Sequence, residues 1–247
     1  MIYGFPEIPI LLSHWDADHY RVAKSLVAKK FLGTTYDYRN RGWIVPGNKY
    51  IRGPIAINLA RKINDANNLF LWPSDTPVVE TSNVQVLQRM KMSPGAPSSE
   101  KIDKNNNGAL ALVLGGTGGC TVYPGDANFE CIPRVQGLNG RVKTIIATHH
   151  GSWRSLNPRG GKAIGSTIPR AASDGRVIFS YSAKNHFGYD ATMTGSYYTA
   201  KGYKAVETTE TLSGNGLDIL EVLFKPTLRQ SNKASARMAL ANNKVTI

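Results

Sequence analysis

The sequence predicts an α/β protein, and three observations support this fold class. Apolar runs of strand length recur along the 247 residues, segments with helical spacing alternate with them late in the chain, and several runs end directly in clusters of His and Asp. The chain also contains 24 Gly and 13 Pro, which favour many turns over a bundle of long helices. We therefore expect strands that deliver polar side chains to loops.

The first seventy residues predict one strand and two helices. Residues 8–12 are an apolar run that leads into a polar cluster, as a buried strand would. Residues 20–32 have helical spacing and are followed by Gly33, a typical helix stop. Pro54 suits the first turn of a second helix, which we expect to end near Asn67 and Asn68. The apolar positions of this second helix are Ile55, Ile57, Leu59, Ala60 and Ile63.

The rest of the chain predicts strands, one helix and two polar segments. Strands are expected at residues 70–72, 78–87, 109–114, 120–123, 142–148, 177–182, 205–208 and 217–224. A helix is expected at 190–201. Residues 91–107 are rich in Pro, Ser and Asn, which predicts a surface loop. The basic segment 226–247 has small and polar residues and predicts a C-terminal tail.

The composition excludes a membrane-spanning or disordered protein. Hydrophobic residues make up 41% of the chain, enough for a sizeable core. The longest apolar runs, 8–12 and 109–114, are far shorter than the roughly 20 residues of a membrane helix, so we predict no membrane span. Cys120 and Cys131 form neither a metal-binding pair nor a disulfide framework, which favours a reducing, cytoplasmic location.

The positive charge of the chain is concentrated in particular segments. Thirty basic and 17 acidic residues give a net charge of +13. Residues 149–170 contain Arg154, Arg159, Lys162 and Arg170 but no Asp or Glu. This distribution favours a polyanionic partner, such as nucleic acid or another phosphodiester, or an anionic membrane surface. Net charge alone leaves equally open a basic protein without such a partner.

Residues 13–19, Ser-His-Trp-Asp-Ala-Asp-His, form the densest polar cluster and directly follow the first predicted strand. Four potential ligands so close together would be costly in a core, whereas divalent ions would satisfy all of them. An extended strand end directs His14 and Asp16 to one side, and a following turn lets Asp18 and His19 face a second ion. The alternative is a solvated polar loop.

Three further predicted strands end in the same kind of cluster. Residues 123–126, Tyr-Pro-Gly-Asp, place Asp126 after one strand. Residues 148–152, Thr-His-His-Gly-Ser, follow another, and residues 185–190, Asn-His-Phe-Gly-Tyr-Asp, follow a third. Because α/β enzymes build their sites at strand ends, four such clusters predict one active site.

The ordered set of motifs resembles the metallo-β-lactamase fold. The pattern His-x-Asp-x-Asp-His over residues 14–19, the later Gly-Asp at 125–126 and His-His-Gly-Ser at 149–152 are similar to the soluble hydrolase domain of ComEC-type DNA-uptake proteins. Shared with that group are the carboxylate at Asp16, the Asn-rich segment before the Gly-Asp strand, and Asn-x-aromatic-Gly at 185–188. The resemblance covers about residues 8 to 190.

This resemblance implies an αββα-like sandwich and a hydrolase domain over residues 1–225. Its implied activity is hydrolysis by a water that two divalent ions activate, and the expected substrate is the phosphodiester of nucleic acid. The ions would be Zn²⁺ or Mn²⁺, and the carboxylate of Asp16 makes Mn²⁺ or Mg²⁺ more competitive with Zn²⁺.

Residue by residue, the resemblance also implies roles. The implied metal ligands are His14, Asp16, Asp18, His19, Asp126 and His149. The first two would bind one ion and the next two the other, with Asp126 bridging them and His149 completing the second site. Asp18 and Asp126 are the expected catalytic residues, and Asp18 would also orient the water. The expected substrate contacts are His150, Ser152, Arg154, Asn185 and His186.

Two departures from the family pattern limit what is implied. The family continues its Asn-x-aromatic-Gly segment with His-Pro, whereas this chain has Tyr189 and Asp190, so His186 or Asp190 substitutes or the contact is lost. Only about a dozen residues precede His14, where the family has additional strands. We therefore expect a fold that lacks its N-terminal strands, either as a fragment or with the sheet edge supplied by a homo-oligomer or companion subunit.

Two other functions stay open at this point. One is a non-catalytic binding or assembly module with a degenerate fold, and the other is a hydrolase of small esters, lactones or thioesters. The run of glycines at 115–119 is interpreted as a hairpin turn, since no Lys-Ser/Thr follows as in a phosphate-binding loop. Trp15 and Trp153 could stack on a base, but packing is the preferred interpretation for both.

Overall fold

The structure is a computed structural model of the chain. It describes residues 10–20, 42–47, 51, 53–72, 78–80, 84–88, 106, 108–116, 119–132, 135–157, 163–181 and 191–208. These residues form a mixed α/β fold with two open sheets, which confirms the predicted fold class at this level. They divide into two compact units, the first reaching Trp72 and the second beginning at Val78.

The αββα layering, the loss of N-terminal strands and the single domain over residues 1–225 stay predictions. The strand at 217–224 and the tail at 226–247 lie outside the described residues, as does nearly all of the helix at 20–32.

The first unit contains a parallel three-stranded sheet. Its strands are β1 (Ile10–Leu11), β2 (Trp43–Val45) and β3 (Leu69–Leu71), in the order β1-β2-β3. Ile10 lies opposite Trp43, which lies opposite Leu69. β2 was not predicted, although its apolar residues favour a strand, because the strands that pair with it are distant in the sequence. Its Trp43 is nevertheless fully buried in the core of this unit.

Helix α1 (Pro54–Asp65) joins β2 to β3 and confirms the predicted second helix. It begins at its proline, and it ends where Asn67 adopts a left-handed conformation with φ 57°. The backbone N–H of Asn68 then donates to the carbonyl of Ile63 at 3.1 Å. This is the hydrogen-bond pattern of a Schellman motif, and asparagine tolerates its left-handed position.

The buried face of α1 differs in part from the apolar positions seen in the sequence. The inward residues are Ala56, Leu59, Ala60 and Ile63, a stripe with the i, i+3, i+4, i+7 spacing. Ile55 and Ile57 are exposed instead, because they lie off this stripe. A helix of this amphipathic kind owes most of its stability to packing its buried face against the sheet.

The second unit contains a mixed seven-stranded sheet. Its strands are β4 (Val78–Glu80), β5 (Val84–Gln88), β6 (Leu110–Gly116), β7 (Gly119–Tyr123), β8 (Val142–Ile146), β9 (Ala171–Phe179) and β10 (Ala205–Thr208). The spatial order is β10-β9-β8-β7-β6-β5-β4, parallel from β10 to β7 and antiparallel from β7 to β4. The carboxyl ends of β7, β8 and β9 are therefore neighbours at one edge.

Two strand predictions need correction. The strand predicted at 78–87 is two antiparallel strands, β4 and β5, with Glu80 opposite Gln85. β9 begins six residues before its predicted start, since its first residues, Ala-Ala-Ser-Asp-Gly, show no strand pattern in the sequence. The other predicted strands within the described residues are confirmed to within two residues.

The glycine run between β6 and β7 is a hairpin, as predicted. Gly116 lies opposite Gly119 in an antiparallel ladder that continues to Leu112 and Tyr123. Gly119 has φ 131°, and a Cβ there would lie 2.7 Å from the Arg141 carbonyl oxygen. Glycine at this position is therefore required by the close approach of two backbones.

Helices α2 (Trp153–Leu156) and α3 (Ala191–Thr199) complete the second unit, and α3 confirms the helix predicted at 190–201. The core beneath them is rich in aromatic rings. Phe129, Phe179 and Tyr203 each pack edge-to-face against Tyr198, with ring centroids 5.7 to 6.4 Å apart. All four rings are fully buried.

Two further expectations concern thiols and membranes. Cys120 and Cys131 are both buried, and burial raises the pKa of the Cys120 thiol, so it is poorly suited to act as a nucleophile. Within the described ranges, no helix combines the length and the hydropathy that crossing a bilayer requires.

Candidate metal centre

The first His/Asp cluster, defined as His14, Asp16, Asp18 and His19, follows β1 in the first unit. The chain leaves β1 at Leu11 and buries His14, which is 1% exposed. The carbonyl of Asp16 then accepts the backbone N–H of His19 at 3.1 Å. This bond belongs to a helical turn at residues 17–20, which begins immediately after the second ligand candidate.

The four side chains of this cluster form two imidazole–carboxylate pairs. His14 Nε2 lies 3.5 Å from Asp16 Oδ2, and His19 Nε2 lies 3.8 Å from Asp18 Oδ2. Ligand atoms of His14 and His19 also lie within 4.8 Å of each other. Both carboxylates are about half exposed, whereas the imidazoles are more deeply placed. The cluster thus presents nitrogen ligands from within and oxygen ligands towards solvent.

The second His/Asp cluster, defined as Asp126, His149 and His150, belongs to the second unit. It follows β7 and β8, which are parallel neighbours, so their loops emerge side by side. Asp126 is buried, with its side chain 4% exposed, and its Oδ2 lies 3.5 Å from His149 Nε2. The two loops are also joined through the backbone, since the N–H of His149 donates to the Gly125 carbonyl at 3.1 Å.

An unusual backbone conformation orients both histidines of this cluster. His149, His150 and Gly151 have φ values of 48°, 55° and 90°, so three consecutive residues are left-handed. This conformation costs free energy for residues other than glycine, and it is retained mainly where surrounding structure and function require it. The Nδ1–H of His150 donates to the Ser180 carbonyl at 2.6 Å, which in the neutral ring places the lone pair on Nε2.

Two residues that the sequence reasoning missed support the ring of His149. Its Nδ1 lies 3.1 Å from the hydroxyl of Ser155 in α2 and 3.4 Å from the side-chain amide of Asn106. Ser155 is buried, and the Asn-rich segment that contains Asn106 was noted only as part of the family pattern. Neither position forms a motif by itself, because each meets His149 only after the sheet is assembled.

A buried tyrosine hydroxyl holds the start of the left-handed turn. The backbone N–H of Thr148 donates to Tyr198 Oη at 3.3 Å, and the Thr148 hydroxyl donates to the Ala127 carbonyl at 2.6 Å. Burial raises the pKa of Tyr198 far above its ordinary value, so its phenol stays neutral at every working pH. The support that it gives to Thr148 is therefore independent of pH.

Replacing Tyr198 with phenylalanine should lower the free energy of unfolding by about 1–3 kcal/mol, because it leaves the Thr148 N–H buried without its acceptor. We also expect weaker Mn²⁺ binding, since the turn that presents His149 is loosened. Urea unfolding and metal titration measure the two effects. Tyr203→Phe is the matched control, as it removes a buried hydroxyl that donates to the Pro169 carbonyl instead. An equal loss of metal affinity in both variants would contradict a local role for Tyr198.

The donor atoms of both clusters fit divalent metal ions. Two ligands about 2.1 Å from one tetrahedral ion are about 3.4 Å apart, close to the 3.5 Å separation in the His14–Asp16 and His149–Asp126 pairs. A direct charge-assisted hydrogen bond would be shorter, about 2.7–2.9 Å. Imidazole nitrogen combined with carboxylate oxygen suits Zn²⁺ and Mn²⁺.

The remaining predicted site residues have different outcomes. Ser152 and Arg154 are described, and Arg154 is exposed, whereas Asn185 and His186 lie outside the described residues, as do Tyr189 and Asp190. The packing interpretation is confirmed for Trp15, which is 4% exposed. It is wrong for Trp153, which is 46% exposed, because α2 anchors itself through Ser155 and Leu156 and leaves its first residue in solvent.

Comparison with known proteins does not add to these observations. A scan against protein-family models finds no model that matches this chain, and a search of curated proteins finds no match either. The assignment of a function therefore depends on the chemistry and the geometry of the two clusters.

Proposed function

We propose that this chain is a metallo-β-lactamase-type hydrolase that uses two divalent ions to cleave phosphodiesters, with nucleic acid as its substrate. The observation that carries the proposal is the repeated imidazole–carboxylate pair. It occurs in the first cluster with His14 and in the second with His149, each time at 3.5 Å and each time after a strand. The order of the motifs along the chain supports a shared dinuclear centre, with Asp126 as the bridging ligand.

The residues of each cluster have separate tasks in this proposal. Bound divalent ions would supply a water of lowered pKa and neutralise charge on the phosphoryl group. Buried His14 and Asp126 provide ligands whose positions are fixed by packing. The carboxylate of Asp18 is half exposed, so solvent reaches it, and it would orient the attacking water and accept a proton from it.

The substrate part of the proposal is supported by charge and exposure near the second cluster. Arg154 is exposed three residues after Gly151, within a chain of net charge +13. Phosphate contacts from such residues dominate nucleic-acid affinity. The exposed indole of Trp153 adjoins it and offers a face on which a base can stack. A small neutral ester would use neither feature.

The proposal is tested by metal loading followed by cleavage assays. The chain is stripped with a chelator, reloaded with Mn²⁺ or Zn²⁺, and incubated with single-stranded DNA, duplex DNA, bis(p-nitrophenyl) phosphate and p-nitrophenyl acetate. We expect about two ions per chain and metal-dependent cleavage of the phosphodiesters. Fewer than one ion per chain after loading would favour the binding or assembly module. Hydrolysis of the acetate alone would favour the ester hydrolase.

A matched variant distinguishes a phosphate contact made by Arg154 from the effect of the net charge of the chain. Arg141 is also exposed, but it precedes β8, whereas Arg154 follows the loop at the carboxyl end of β8. For single-stranded DNA, Arg154→Ala should reduce the slope of log affinity against log salt by about 0.7, the value for one phosphate contact. Arg141→Ala should leave the slope unchanged. Equal effects of both variants would show that only net charge matters.

A further inference from the structure

Ser13 lies between the two imidazoles of the first cluster. Its hydroxyl oxygen is 3.1 Å from Nδ1 of His14 and 2.9 Å from Nδ1 of His19. The two rings are themselves close, with centroids 4.0 Å apart and planes inclined by 55°. The Ser13 hydroxyl therefore contacts Nδ1 of both rings, whereas the neighbouring carboxylates lie on the Nε2 side.

A hydroxyl group can satisfy two ring nitrogens in only a few ways. It has one proton to donate and two lone pairs that accept. If it accepts from both rings, both carry their proton on Nδ1, and both Nε2 atoms keep a lone pair. If it donates to one ring, that ring must carry its proton on Nε2 and cannot bind a metal ion through that atom. Ser13 therefore selects the protonation pattern of the pair.

The separations on the other side of the rings favour the first arrangement. A ring protonated at Nε2 would donate to the adjacent carboxylate at about 2.7–2.9 Å. Instead, His14 Nε2 is 3.5 Å from Asp16 and His19 Nε2 is 3.8 Å from Asp18. These longer separations are typical of an imidazole nitrogen and a carboxylate oxygen that both direct a lone pair at the same cation. Histidines bound to metals commonly donate their other N–H to a second residue, which fixes the ring.

We propose that Ser13 is a positioning residue that accepts Nδ1–H from both His14 and His19 and so presents both Nε2 atoms as metal ligands. The metal part of this inference rests on the proposed function. The protonation pattern itself does not, because it follows from the contacts of the serine with the two rings. Consequently the two parts can fail independently.

The protonation pattern is tested in the metal-free chain by long-range ¹H–¹⁵N NMR of the imidazoles at about pH 8, where imidazoles are generally neutral. We expect the Nδ1–H form for both His14 and His19 in the wild type and in Ser13→Thr, which keeps a hydroxyl. Ser13→Ala should convert at least one of the rings to the Nε2–H form. Ser155→Ala is the matched control, because it removes a hydroxyl from His149 and should leave these two rings unchanged.

The metal part is tested by competition of the same variants with a chelator for Mn²⁺ or Zn²⁺. Ser13→Ala should weaken binding about 10- to 100-fold, the usual cost of losing such a supporting residue, and Ser13→Thr should restore it. Nε2–H rings in the wild type, or unchanged rings and unchanged affinity in Ser13→Ala, would overturn the inference. A wild type with Nδ1–H rings that takes up no metal would refute the proposed function alone and support the assignment of Ser13.

Discussion

Replacing Asp126 with asparagine will lower kcat/KM for phosphodiester cleavage by about a thousandfold and reduce the number of bound ions below two. The carboxylate is 4% exposed and is the proposed ligand common to both ions. Its loss removes a buried negative charge, which a neutral water ligand cannot replace. Metal ions stabilise a transition state by several kcal/mol, and each 1.36 kcal/mol corresponds to about tenfold in rate. Elemental analysis and steady-state kinetics measure the two effects.

Asp174→Asn serves as the control for this prediction. Asp174 is an exposed carboxylate on β9 in the same unit, where it pairs with Lys143 at 3.0 Å. Hydrogen bonds from Ser173 and Lys143 hold its pKa below the ordinary value, and neither of these residues belongs to a His/Asp cluster. Its replacement should leave ion content and kcat/KM unchanged. An Asp126→Asn chain that retains two ions and more than a tenth of the activity would exclude Asp126 as a ligand.

Replacing Gly151 with alanine will destabilise the second unit by about 2–5 kcal/mol and weaken metal binding. The residue has φ 90°, which costs other residues about 1–2 kcal/mol. In addition, the new Cβ would lie 2.6 Å from Cε1 of the buried Phe179 ring, and overpacking of this kind costs about 1–3 kcal/mol. Because Gly151 follows the two histidines, relief of this clash must displace the turn that presents them.

Gly140→Ala isolates the conformational part of that cost. Gly140 has φ 75°, but a Cβ there would have no atom within 4 Å. We therefore expect a loss of about 1–2 kcal/mol without a change in metal affinity. Urea unfolding of both variants gives the cost of the ring contact as the difference between them. Equal losses for the two glycines would show that Phe179 accommodates the extra carbon.

The sequence predicted the structure best where the conformation depends on residues that are adjacent along the chain. The hairpin before Gly119 and the end of α1 at Asn67 were predictable, because turn and cap conformations select particular residue types. β2 was missed although its apolar residues favour a strand, since its partners β1 and β3 are distant in the sequence. The division of residues 78–88 into β4 and β5 was missed because a stretch of residues that favour strands does not show by itself where one strand ends.

The same distinction applies to the candidate centre. His14, Asp16, Asp18 and His19 could be proposed from spacing alone, since they lie within six residues. Tyr198 could not, because it reaches Thr148 across fifty positions of the chain. The left-handed conformation of His149 was equally hidden, as only Gly151, two residues later, indicated an unusual turn. The residues that hold the candidate ligands in place are thus harder to predict from the sequence than the candidate ligands themselves.

The wholly parallel sheet of the first unit has a consequence for the order of refolding. Each of its strand pairs encloses a connection on the order of twenty to thirty residues, so neither pair can form before a long segment has closed. The β6–β7 hairpin needs only a tight turn, and such hairpins form within about ten microseconds. During renaturation from urea, protection of amide protons should therefore arise at β6 and β7 earlier than at β1 to β3.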